Sequence, residues 1–437
     1  MDRSVHDMPV RAVTAATIGT ALEWFDFALY GVVAATVFPK LFFPSLDPSS
    51  GLLASLATFG VGLAARPLGA VICGYLGDKF GRRILLLFTV SLMGMASVLM
   101  GVLPTYNGIG VWAPVLLVLL RIVQGFALGG ESTGAQLMAI EHAPEDRRGK
   151  YSGLLGICSP ISQILANGAM LLISSLLSPE DFMSYGWRIP FLLSFILVLI
   201  GIYIRLRVEE TPSFVAFKHS KVATVSSPLR DAVRLHFGDI VRLTLFFCGP
   251  AAMFYLVVVF SLSYLTGTLG VPKQTGFLLL MGANVCAIIG ALAGGMLSDR
   301  IGRKRALVLG SSATLILVFL LFPLLGTKSF LPMLAGMGLL LGFTQYQSGI
   351  QPVYFAEAFP TNVRYSGSAL SYTAANLLAG ATLPALAVWL LRTFQGSPWS
   401  IVAIVAAWNA ISLAMILIGR ETRSAELNQT DAALAAA

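Results

Sequence analysis

The chain has 437 residues, 56% of them hydrophobic and only 11% charged, with a mean hydropathy of +0.81. That balance excludes an ordinary water-soluble globular domain and marks an integral membrane protein. The formal charge of +8 is explained by basic loops kept on one side of a membrane, so no nucleic-acid partner is needed.

A helix crosses the hydrocarbon core in about 20 predominantly apolar residues, and stretches of that length predict an all-α protein of twelve spans in two similar bundles. Spans 1 to 6 run from Arg11 to Phe38, Gly51 to Leu76, Arg83 to Leu103, Trp112 to Ile140, Tyr151 to Leu176 and Trp187 to Ile204. Span 1 is too long for a cleaved signal and carries Glu23 and Asp26, so it is expected to stay. A polar linker over 205–239 follows the bundle formed by 1–204. Within it Pro228 opens a stretch that reads either as a basic amphipathic helix on the membrane surface or as a solvated loop. Spans 7 to 12 run from Val241 to Leu269, Gln274 to Leu297, Lys304 to Leu325, Leu331 to Phe355, Tyr365 to Leu391 and Trp399 to Ile418, giving a second bundle over 240–419 and a tail over 420–437.

Lys40, Arg188, Lys273, Lys328 and Arg392 fall in the alternate loops, and Arg66 and Arg121 fall inside spans. The other lysines and arginines occupy the termini, the linker and the loops after spans 2, 4, 8 and 10. Positive loops stay inside, so both termini are expected in the cytoplasm. Cys73, Cys158, Cys248 and Cys286 lie within spans at no ligand-like spacing and read as small buried thiols. No metal or other cofactor is expected.

The two halves share their corners. Gly74, Asp78, Lys79, Gly81, Arg82 and Arg83 after span 2 recur 221 positions later as Gly295, Asp299, Arg300, Gly302, Arg303 and Lys304. Glu141 and Arg148 after span 4 recur as Glu357 and Arg364 after span 10, and Glu210–Thr211 recurs as Glu421–Thr422. Asp78 and Asp299 can accept hydrogen bonds from a helix N-terminus, and Arg82 and Arg303 can reach Glu141 and Glu357. With Arg148 and Arg364 these groups are expected to form a latch that closes in one conformation and opens in another. Small pairs Gly125/Gly129, Gly130/Gly134 and Gly290/Gly294 let helices approach closely, and Pro160 and Pro352 mark bends beside a central cavity.

Charges inside the hydrocarbon are costly and mark function. Glu23 and Asp26 on span 1, Arg66 on span 2, and Arg121 and Glu131 on span 4 are the five here. Their depths pair Asp26 with Arg121, and Arg66 with Glu23 or Glu131. Three acids against two bases leave one negative charge over, so one carboxylate is expected to take up a proton readily. Asp26, Glu23, Arg121 and Glu131 are the expected proton-coupling groups. An anionic substrate near Arg66 or Arg121 would compete for the guanidinium and release its acid to a proton, linking the two binding events. The second half offers only neutral polar groups deep in its spans. Tyr255, Asn284, Gln345, Gln347, Gln351, Tyr372 and Asn376, with Gln163 and Asn167 on span 5, are expected to hydrogen-bond a substrate or a neighbouring helix.

At these residues the chain resembles the major facilitator superfamily, whose corner signature is present twice and whose span 4 motif is matched by Arg121 with Gly125. Glu23-Trp-Phe-Asp26-Phe with Tyr30-Gly31, Arg66-Pro67-Leu68-Gly69, Gln124-Gly125 through Gly129-Gly130-Glu131 and Gly186-Trp187-Arg188-Ile189-Pro190-Phe191 resemble the metabolite:proton symporter family. The resemblance implies proton-driven uptake of a small organic acid across a bacterial inner membrane, by a monomer whose partners are substrate, protons and lipid. Shikimate, keto acids and di- or tricarboxylates are in that family's range. A proline or betaine carrier is the alternative, lowered by a tail without heptads, and an efflux antiporter is the harder rival. An intramembrane enzyme lacks its constellation, since His6, His142, His219 and His236 all fall at loop positions and no His-Glu-x-x-His or Gly-x-Ser-x-Gly occurs. An ATP-driven pump lacks a phosphate-binding loop.

Overall fold

The computed structural model describes residues 21, 24–80, 82–129, 132–141, 143–206, 228–361 and 363–423, with the side chains of 74–80, 82–86, 132, 133, 135, 138, 197, 204–206 and 228 left outside the description. Among these residues there is helix and no strand, and the fold is the all-α, twelve-helix membrane architecture. Nine described helices are long and apolar enough to cross a bilayer; two shorter apolar ones, Trp24–Thr36 and Leu87–Val102, represent spans 1 and 3. Span 10 is the 29-residue helix Phe330–Ala358, and Gln345, Gln347 and Gln351 make it less apolar than its neighbours.

The helices meet where side chains are absent. A Cβ on Gly125 or Gly129 would stand 1.9 or 2.0 Å from the carbonyl oxygens of Gly62 and Arg66, so spans 2 and 4 touch backbone to backbone. Gly290 and Gly294 place span 8 against Gly342 and Tyr346 of span 10 in the same way. Lipid is as apolar as leucine, so such close approach replaces the hydrophobic effect as the force between helices.

The repeated corners are mostly helix rather than loop. The span 8 helix runs Lys273–Ile301 and span 9 starts at Arg303, so Gly295 and Asp299 lie in the last turns of span 8 and Gly302 alone makes the turn, at φ 95°. Only glycine takes that backbone without strain. The first copy has the same outline, with helices Pro48–Phe80 and Arg82–Val102.

Span 5 is broken at Ile157 into Arg148–Gly156 and Cys158–Leu176, three residues before Pro160, which denies its helix a donor. Span 10 passes Pro352 unbroken. Spans 7 and 11 instead loosen into π-turns, at Leu256–Phe260 and Tyr264–Thr268 and at Asn376–Ala381, a form that concentrates at functional sites. Most of the linker lies outside the described residues. Its last part is a helix, Pro228–Leu235, with Ala232 buried and Val233, Leu235 and Phe237 exposed beside Arg230 and Arg234, which replaces the solvated-loop alternative.

Candidate functional site

A cavity of about 80 Å³ lies between the halves, enough for several waters or a small solute. Span 10 contributes Gln345, Ser348 and Gln351, and spans 7 and 11 bring Tyr255, Tyr372 and Asn376. The first half supplies Trp24, Gln136 and Ser159. Tyr255 donates to Asn376 Oδ1 at 3.4 Å and Asn376 Nδ2 donates to the Tyr372 carbonyl at 2.9 Å, so the π-turn that starts at Asn376 aims its amide inward. Gln345 and Gln351 are each 4% exposed. Neither bonds a described residue, which leaves two carboxamides facing the cavity with donors and acceptors to spare.

Other expected substrate residues lie elsewhere. Gln347 donates to Thr314 Oγ1 at 3.2 Å and belongs to a network with Asn409 and Ser311 on spans 12 and 9. Asn167 and Asn284 donate to carbonyls of their own helices, at Gln163 and Leu280, and Gln163 is buried on span 5 without lining the cavity. Asn167 and Asn284 are drawn into helix packing because a buried amide in a span takes the nearest carbonyl available. Arg66 is buried and acts electrostatically on Tyr255 and Tyr372, so its charge is felt at the cavity wall. Its expected acids, Glu23 and Glu131, lie outside the described residues.

Asp26 does not pair directly with Arg121. It accepts hydrogen bonds from Ser194 Oγ and from Ser97 Oγ, the latter at 2.7 Å. Gln124 Nε2 donates to Ser97 Oγ at 2.9 Å, and Arg121 donates to Gln124 Oε1. Two neutral side chains therefore separate acid from base, and the four residues form one chain across spans 1, 3 and 4. The Arg121 guanidinium is enclosed by rings, its carbon 4.1 Å from the centroid of Tyr30, 4.5 Å from Phe27 and 5.1 Å from Phe59. Its Nε and Nη2 have no hydrogen-bond partner among the described residues.

On the face carrying the repeated corners, Asp299 accepts from the backbone N–H of Gly149 and Lys150, both at 2.8 Å, at the N-terminus of the first half of span 5. Asp299 also accepts from Arg303 at 2.6 Å, and Arg303 donates to both oxygens of Glu357 at 3.2 and 3.1 Å. Glu141 accepts from Arg364 of the opposite half at 3.0 Å, and Arg148 acts electrostatically on Glu357. Ser152 accepts from the Val353 N–H at 3.3 Å. Gly74, Asp78 and Arg82 lie outside the described side chains. On the far face Arg392 donates to Ser50 Oγ at 2.8 Å and Gln274 to the Ser174 carbonyl at 3.4 Å. The halves thus touch on both sides of the cavity.

Sequence reasoning missed Trp24, Gln136, Ser159 and Ser348 in the lining, and Ser97, Ser194 and Gln124 in the polar chain. It also missed Gly380, where a Cβ would stand 2.4 Å from the Tyr255 ring. Polar residues at the depth of Asp26 were the available signal for Ser97 and Gln124.

The family model of the Major Facilitator Superfamily matches residues 16–345 and 242–435. The chain is 37% identical over 426 residues to the inner membrane metabolite transport protein YhjE of Escherichia coli (strain K12), covering 95% of each chain. To the shikimate transporter of the same organism it is 36% identical, again over 95% of each. The proline/betaine transporter of Salmonella typhimurium matches at 35% over 88% of this chain and 78% of that one. Among solved structures, the proton:xylose symporter XylE superposes with a TM-score of 0.79 at 19% identity over 98% and 99% of the two chains, a likeness of fold. The chain belongs to the Major Facilitator Superfamily, as a multi-pass inner-membrane transporter of metabolites and not an enzyme.

Proposed function

We propose that the chain imports a small organic acid together with protons, with both termini in the cytoplasm and the repeated corners on that side. The observation that carries this reading is Asp26, an acid 2% exposed within the bundle and held by two serine hydroxyls with no base in contact among the described residues. A carboxylate so placed lacks the counter-ion that would hold it permanently ionised. It can carry a proton through the cycle and report its state through Ser97 and Gln124 to Arg121. The unpaired carboxamides of Gln345 and Gln351 suit the hydroxyl or carboxylate oxygens of a cargo, and Arg66 supplies the positive potential that draws an anion to the cavity. Glu23 and Glu131 retain a supporting role in this scheme. A zwitterionic osmolyte is the second reading, favoured by the Trp24, Phe247, Phe254, Tyr255 and Tyr372 rings of the lining, which can face a quaternary ammonium.

The test is uptake into proteoliposomes over a panel of organic acids, proline and betaine, with an inward proton gradient from about pH 7.5 to about pH 5.5. Asp26→Asn is expected to abolish gradient-driven accumulation while leaving substrate exchange. Normal accumulation by that variant would sink the assignment, and uptake of betaine alone would favour the second reading. Accumulation on reversing the gradient would identify an exporter.

A further inference from the structure

Arg121 and Tyr255 belong to opposite halves, and two phenylalanine rings stand between them. Phe27 and Phe59 are 4.6 Å apart, centroid to centroid, and both lie against the Arg121 guanidinium. The same two rings meet Tyr255 at 6.3 and 5.6 Å. Arg121, Phe27, Phe59 and Tyr255 are all at most 2% exposed. Gln124 supplies the only hydrogen bond that Arg121 makes among the described residues, so the rings fix the rest of the guanidinium. Each end of the stack rests on a bare backbone: a Cβ at Gly62 would stand 2.5 Å from Arg121 Nε, and one at Gly380 would stand 2.4 Å from the Tyr255 ring.

We propose that Phe59 and Phe27 are positioning residues that pass a rearrangement of the Asp26–Ser97–Gln124–Arg121 chain to Tyr255, and so to the substrate cavity in the other half. A close-packed interior has no slack to absorb the motion. If the guanidinium changes place when Gln124 releases it, the rings it faces must shift, and the edge of Tyr255 shifts with them. Tyr255 carries its hydroxyl to Asn376, so the change arrives at a group that touches cargo. The relay rests on the proton assignment of Asp26 for its input, but its mechanical step depends only on the rings.

The experiment uses full-length protein in nanodiscs of phosphatidylethanolamine and phosphatidylglycerol, spin-labelled at Asn107→Cys and Ser329→Cys, two exposed far-face positions in opposite halves, after replacement of the native cysteines. The distance distribution is recorded at about pH 7.5 and about pH 5.5. The parent is expected to redistribute between the two pH values, Asp26→Asn and Phe59→Leu to lose that response, and Phe59→Tyr, which keeps the ring, to retain it. Phe27→Leu provides the same readout should Phe59→Leu fail to fold. A parent-like response in Phe59→Leu overturns the relay, whatever Asp26→Asn does. A response lost in Phe59→Leu but kept in Asp26→Asn overturns the proton assignment of Asp26 as the input and upholds the mechanical step through the rings. A parent that does not respond overturns both.

Discussion

Asp299 is where a single side chain most directly holds the two halves together. Replacing it with alanine removes both hydrogen bonds to the N–H groups of Gly149 and Lys150 and the negative charge at that helix N-terminus. Arg303 is not stranded by the change, because Glu357 and Ser298 still accept from it. The loss therefore falls on the contact between halves. Hydrogen bonds to a charged acceptor contribute about 1.5–3 kcal/mol, and Lys150 is exposed, so the low end applies to each bond. The pair together is worth about 3 kcal/mol, and at 1.4 kcal/mol per decade Asp299→Ala should raise the population open on the corner face by about 100-fold. Ser152 is fully buried in the same interface, so a cysteine placed there reacts with a membrane-impermeant maleimide only when the halves part. Its labelling rate in inside-out vesicles should rise by that factor in Asp299→Ala. A rate within about twofold of the parent's would refute the assignment of Asp299 as a closing contact, since among the described residues no other contact it makes crosses between halves.

The same thiol ranks the neighbouring contact. Glu141 is 44% exposed in its pair with Arg364, and such pairs contribute about 0.2–1 kcal/mol, so Glu141→Gln should speed labelling by about fivefold at most; a larger effect would show that the pair outweighs Asp299. Gly62→Ala should push the Arg121 guanidinium out of its ring cage and lower transport by about tenfold or more at unchanged expression, a displacement expected from overpacking. Gly168→Ala, where a Cβ meets Met281 at an ordinary 3.6 Å, is the control, and equal losses in the two would remove Arg121 from the explanation. Gly125→Ala should cost about 1–3 kcal/mol of stability, read as a lowered melting midpoint in detergent. Gly134→Ala, 3.6 Å from the Tyr365 ring, should leave the midpoint unchanged.

How much of this was legible in the sequence follows from what hydrocarbon demands of a chain. Length and apolarity suffice to find a span, so the helices stand where composition puts them, and a corner repeated at fixed spacing is visible without knowing its shape. Which face of a helix looks at which neighbour is a different matter. In a soluble helix the apolar stripe reveals the buried side, whereas lipid accepts apolar residues all round. Gln347 and Gln351 lie one turn apart on span 10, yet one joins Thr314 and the other faces the cavity, and no difference in composition separates them. The π-turns at Leu256 and Asn376 compound the problem, because each shifts the register of every later residue and neither announces itself in the sequence. Depth was readable, and it put Asp26 level with Arg121. The same depth holds the two polar side chains that stand between them, Ser97 and Gln124, but depth alone does not say which way either one faces.

The polar chain in the first half has a counterpart in the second that gives the duplication chemical content. Thr314 on span 9 stands 217 residues after Ser97 on span 3, and Asn409 on span 12 stands 215 after Ser194 on span 6, offsets that match the repeated corners. Thr314 accepts from Asn409 at 3.0 Å and from Gln347 of span 10 at 3.2 Å, and Asn409 donates to the Ser311 carbonyl at 2.9 Å. Spans 3, 4 and 6 and spans 9, 10 and 12 thus hold polar cores at corresponding places, one joined to Asp26 and Arg121 and the other built of hydroxyls and amides alone. A network of hydroxyls and amides has no group that changes charge near neutral pH. It can hold helices together in both conformations at no electrostatic cost, but it gives a travelling proton nowhere to stop. If protons drive this transporter, the asymmetry between two otherwise matching cores favours the first as the core that carries them, since the second holds only neutral groups that do not compete for the proton.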